Sequence, residues 1–219
     1  MIRAARTSGH AVYGGQRKWG DRKCNRALRF ARAGGVCDLF GMPVPKALSD
    51  LLLTSKPAEL GPERRAGVRA ESGLNAELDQ FFAGTHFARE RQELIRALLL
   101  LWHDHLESAH RLAQEVPGSD GAFVHGIMHR REPDFGNAAY WFRRAGKHPV
   151  FKELAGQVAR EVGPESDQRL TSQLMPKGEW DPFAFINACE QVQSGKAGAT
   201  ILRKLQQLEF VALLEYLCR

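Results

Sequence analysis

Long apolar runs are missing from this chain. The longest, Ala97 to Trp102, spans six residues, far short of the ~20 that a membrane helix needs. No apolar segment near the start resembles a secretory signal, so a soluble, cytoplasmic protein is expected. Cysteine is scarce: Cys24, Cys37, Cys189 and Cys218. No two of them stand in C-x-x-C spacing, and the twelve residues between the first two match no zinc pattern. Free thiols in a reducing compartment are expected. The G-x-x-x-x-G-K-[ST] loop, a G-x-G-x-x-G after a strand and a G-x-S-x-G elbow are all missing. Nucleotide binding by those loops and serine-hydrolase chemistry therefore lack support. No segment alternates polar and apolar residues with period two, which argues against half-buried strands.

What is present is enough for a core. The chain has 219 residues, 43% of them hydrophobic, which suits one domain with an appendage. Its net charge of +6 is unevenly spread. Residues 1–46 carry ten Lys/Arg against two Asp, while residues 47–219 carry 21 Lys/Arg against 23 Asp/Glu. The body is thus slightly acidic and a poor nucleic-acid platform. Residues 1–41 are rich in Arg, Gly and Ala without sustained periodicity, and disorder is expected. They read as a basic arm for RNA, DNA or anionic lipid, as an organelle transit segment, or as sequence upstream of a true start at Met42. Nucleic acid enters only through that arm.

Residues 42–219 read as one all-α domain, a multi-helix bundle with a helical-hairpin, repeat-like core. Helices are expected at Lys46–Leu53, at Leu74–Phe82 and at Glu90–Gln114, the last with Leu94, Leu98, Leu101 and Trp102 at three- and four-residue spacing. Ser119 or Asp120 is placed to cap a helix that must stop before Pro133. Asn137 is placed to cap Ala138–Ala145, closed by Gly146. Further helices are expected at Val150–Val162, from Asp181-Pro182 to Gln193, and at Ala199–Leu217.

The stretch Trp102–Arg144 stands apart. It holds five of the eight histidines, together with acids, arginines and aromatics. If Glu90–Gln114 is unbroken, ~100° per residue puts His103, Glu107 and His110 on one face. His125 and His129 stand four apart on the next helix, with Glu132 and Asp134 following. These seven residues are the candidate metal ligands or acid–base groups, because zinc or iron asks for imidazoles and carboxylates converging from two elements. However, His125, His129 and Glu132 fall roughly 135° from the apolar face of Phe123, Val124, Ile127 and Met128. They face solvent unless a second layer covers them. Arg130, Arg131, Asn137, Tyr140, Trp141 and Arg143 are the candidate ligand-binding residues, the arginines for an anionic group. Tyr140, Trp141 and Phe142 cannot all face one core, so one of them looks outward.

Three resemblances attach to these residues. His86…His103-Asp104…Asp134 resembles the H…HD…D ligand pattern of HD-domain phosphohydrolases, but the first gap is short and the glycine after HD is missing. Gly126, Asp134-Phe135, Ala138, Phe142, Ala145 and Pro149 resemble a tetratricopeptide or Sel1-like repeat. In such a repeat small residues let two helices approach, and ELIRALLLLWHD with HLESAHRLAQEV would form a second pair. That reading breaks the long helix near Asp104, so the metal and repeat readings expect different backbones. Taken whole, HGIMHRREPDFGNAAYWFRR is similar to an uncharacterised family of small helical proteins from bacteria and fungi, which implies no activity.

Two functional readings result. One is a non-enzymatic, helical-repeat-like module for a protein partner. The other is a metal-binding protein, zinc or iron, with hydrolase chemistry toward a small anionic ligand. Histidine is suited to either ligation or proton transfer near neutral pH. The sequence is silent on oligomeric state.

Overall fold

The computed structural model describes residues 44–162, 168–193 and 198–219. The expectations for residues 1–41 lie outside them. Among the described residues there are ten α-helices and no strand, so the all-α bundle is observed. The helices are α1 (Lys46–Leu51), α2 (Glu71–Ala83), α3 (Arg89–Trp102), α4 (Leu106–Glu115) and α5 (Ser119–Arg131), then α6 (Phe135–Ala145), α7 (Val150–Val162), α8 (Gln168–Leu174), α9 (Pro182–Gln193) and α10 (Ala199–Leu217). No helix among the described residues is long and apolar enough to cross a membrane.

Helices α3 and α10 form the centre. From Leu94 to Trp102 every α3 residue but Arg96 is buried, and α10 is buried nearly all round from Leu208 to Glu215. Helix α3 packs on α2, α4, α5 and α10, and α10 also packs on α7 and α9. Burial on several faces explains why α10 shows no single apolar stripe.

The expected helix Glu90–Gln114 is two helices. The amide of Asp104 bonds to the Leu101 carbonyl (3.1 Å) and that of His105 to the Leu100 carbonyl (2.9 Å). These are the two bonds of a Schellman ending. Asp104 takes the left-handed position at φ 64°, where glycine is usual. An aspartate stands there because its carboxylate is used. Oδ2 accepts from Arg65 Nε (2.8 Å) and from the Arg65 amide (3.0 Å), and Oδ1 accepts from Arg131 Nη2 (2.9 Å). Arg131 also donates to the carbonyls of Leu101 and Gly61. This knot ties the α1–α2 loop, the α3–α4 turn and the end of α5 together.

Helices α5 and α6 form the closest hairpin. A Cβ on Gly126 would lie 2.7 Å from Phe142 ring carbons, so only glycine lets the helices approach this far. Ala138 and Ala145 of α6 are buried as well. Two caps differ from expectation. Asp134, not Asn137, caps α6: its Oδ1 accepts from the Asn137 amide (3.1 Å) and its Oδ2 from Asn137 Nδ2 (2.8 Å). At α5 the capping position is Gly118, with no side-chain cap. Asp120 instead accepts from His148 Nε2 (3.0 Å) across to the start of α7. Asp181 caps α9 as expected, accepting from the amides of Phe183 and Ala184. Helix α8 was not expected.

Candidate metal centre

Helix α5 carries His125 and His129 one turn apart, and α4 lays His110 against them. One ligand nitrogen from each of the three lies within 4.8 Å of the others. Bound at ~2.0–2.1 Å to one zinc, such donors would sit about 3.3 Å apart, so sharing one ion asks the rings to close by at most ~1.5 Å. The second layer that the sequence left open is present. His125 is 1% and His129 7% exposed, while His110 is half-buried. Trp141 of α6 lies flat on the His125 ring, 3.9 Å between centroids and 3° from parallel. The His125 and His129 rings are themselves parallel, 5.3 Å apart, and His110 meets both edge-on.

The cluster's electrostatics suit a cation. Burial, together with His110 and His129, pushes His125 down to about 4. Burial also lowers His129, against the opposing pull of Glu132. Both rings are neutral near pH 7 and keep a lone pair to give, as metal ligation requires. Nδ1 of His125 and Nδ1 of His129 are buried without a hydrogen bond, although nearly all buried polar atoms in native proteins find a partner. Glu132 Oε2 stands 3.3 Å from His129 Nδ1.

The other candidates divide. His103 is remote from the cluster, because the break at Asp104 turns it the other way. Its Nε2 donates to the Leu51 carbonyl (2.7 Å) and its Nδ1 accepts from the Arg69 amide (3.3 Å). His105 Nε2 donates to the Arg69 carbonyl (2.9 Å), so the two rings clamp one residue's backbone. With His103 and Asp104 in these structural roles, the HD-type ligand set does not assemble. Glu107 is exposed on α4. Asp134 is the α6 cap. Arg130 and Arg131 are not free for an anion. Both are fully buried, Arg130 against Glu209 and over the Phe185 ring (4.3 Å), Arg131 against Asp104. Tyr140 is the outward-facing aromatic, 48% exposed. Arg144 lies over Tyr140 and Trp141, and Arg143 over the exposed Phe183.

A pocket of about 730 Å³ opens around Lys56, Glu59, Arg64 and Arg203, and one of about 440 Å³ around Asn75, Arg96, Ser108 and Arg111, the latter lined in part by the Trp102–Arg144 stretch. His148, just before α7, is 3% exposed. It accepts from the Val150 amide and is held by Asp120. With both nitrogens engaged it has no atom left for chemistry, and its sequence position beside Pro149 gives only the capping role.

In comparisons with protein-family models, curated proteins and solved structures, no match to this chain was found.

Proposed function

We propose that this protein binds a transition-metal ion, zinc before iron, through His110, His125 and His129. The observation that carries the reading is the convergence of three imidazole nitrogens within 4.8 Å at a largely buried point. Neutral imidazole suits zinc, copper, iron and nickel, and no thiolate belongs to the cluster. The ion would pin α4 to α5, joining the α3–α4 hairpin to the α5–α6 hairpin. The role supported best is therefore structural or regulatory. Hydrolysis of an anionic substrate has less behind it, because Arg130 and Arg131, the cations meant to hold that substrate, are consumed inside the core. The reading as a repeat-like interaction module draws support from the close α5–α6 packing at Gly126. A hairpin alone names no partner, whereas three converging imidazoles name a class of ligand.

Elemental analysis of the full chain, purified without a histidine tag, tests the proposal. About one zinc or iron per chain is expected in the parent, and none in a His125→Ala/His129→Ala variant. A folded parent that takes up no metal after incubation with either ion would remove the reading.

A further inference from the structure

Three imidazoles leave a four-coordinate ion one ligand short. Resting on the metal reading above, we infer that Glu132 supplies the fourth ligand, making a closed centre of three histidines and one glutamate that holds its ion without an open coordination position.

Helical register supports this first. His125, His129 and Glu132 stand at i, i+4 and i+7, within about 60° of arc at ~100° per residue, so α5 and its C-cap residue present all three along one stripe. Position supports it next. Glu132 Oε2 already lies 3.3 Å from His129 Nδ1, about the separation of two ligands on one tetrahedral zinc (~3.3 Å). The contact to His129 is the one this carboxylate makes among the described residues. The carboxylate is also free to move. The Glu132 side chain is 34% exposed and sits just past the last residue of α5, at its C-cap. It can swing by a rotamer change without disturbing the core. Charge points the same way. Neutral imidazoles alone would leave a full divalent charge beside His125 and His129, which are nearly sealed from water. Burying an unpaired charge is costly, and one carboxylate halves it. Asp134 does not compete for this place, since both its oxygens hold Asn137.

Cobalt(II) substitution of the full chain tests this. The wild type should give the intense visible bands of a four-coordinate ion, and added azide should leave them unchanged. Glu132→Gln should bind cobalt and zinc at least ~100-fold more weakly, at or beyond the limit for losing an outer carboxylate (~10–100-fold). Its spectrum should shift on adding azide, because a position has opened. Glu132→His should restore tight binding with an altered spectrum. If the wild type binds cobalt but its spectrum responds to azide, the centre is open and the inference fails while the metal reading stands. It fails in the same way if Glu132→Gln binds as tightly as the parent. If the wild type binds neither cobalt nor zinc, both fall.

Discussion

The two carboxylate oxygens of Asp104 hold two guanidiniums inside the core. Its side chain and that of Arg131 are fully buried, and Arg65 is 5% exposed. Burial alone would raise the Asp104 carboxyl, but Arg65 and Arg131 hold it below its ordinary value. Removing this carboxylate leaves Arg131 as an uncompensated buried charge, and such losses cost about 3–5 kcal/mol. Asp104→Ala should lower the urea midpoint by that equivalent, with Asp104→Asn intermediate because its amide oxygen still accepts one donor. Asp104→Gly would relieve the positive φ, worth roughly 1 kcal/mol, yet should still be strongly destabilising, since the ion pairs outweigh the backbone. A glycine variant as stable as the parent would show that the residue serves only the turn.

At the scale of elements, α5 carries the site and its neighbours aim it. Helix α6 covers His125 with Trp141 only because Gly126 admits the Phe142 ring. Gly126→Ala gains up to ~1 kcal/mol of helix propensity but forces a methyl into a ring 2.7 Å away, at about 1–3 kcal/mol. The clash should win. Thermal unfolding is expected to show a lower Tm together with weaker zinc binding, whereas a raised Tm would mean that the hairpin has slack. This element also shows what was legible in the sequence. The spacing of Gly126, Ala138, Phe142 and Ala145 announced a close hairpin, and the helices from α5 onward, apart from the short α8, lie where they are expected from the sequence. The α3–α4 break was legible only as one of two options, because Asp104 is ordinary in a helix unless Arg65 and Arg131 reach it from 39 and 27 residues away. The same limit explains Arg130 and Arg131. Two adjacent arginines look solvent-facing until Glu209, 79 residues on, is seen inside the core. Of the candidate site, His110, His125 and His129 come together, with Glu132 beside His129, while His103 and Glu107 drop out with the broken helix.

For the whole molecule, the buried histidines link stability to acidity. Burial lowers His103, His125, His129 and His148 from the ordinary 6.5. The unfolded chain therefore takes up protons near pH 6 that the native state refuses. Their contribution is full above pH 6.5 and is lost as pH falls from there through the native values, at up to about 1 kcal/mol per group by pH 5.5. Glu215 works in the other sense. It is buried beside Gln157, and burial raises it to about 7, so its contribution is full below pH 4.5 and is lost as pH rises through 7. Urea midpoints of an apo Glu215→Gln protein, in which that opposing group is silent, should fall between pH 7.5 and pH 5.5. Glu215→Gln should raise the midpoint at pH 7.5 by the equivalent of roughly 1–3 kcal/mol, with the gain vanishing below pH 4.5. A flat profile in that apo variant would contradict the buried neutral histidines.

A bound ion would add to that stability by mass action, by about 2.7 kcal/mol at a hundred times Kd, but stabilisation alone does not say what holds it. X-ray absorption at the zinc edge of the loaded full chain reads the ligands directly. Three imidazoles and one further light atom are expected at ~2.0–2.1 Å. A sulfur shell near ~2.3 Å, or fewer than three imidazoles, would place the ion elsewhere in the chain and contradict the assignment of His110, His125 and His129.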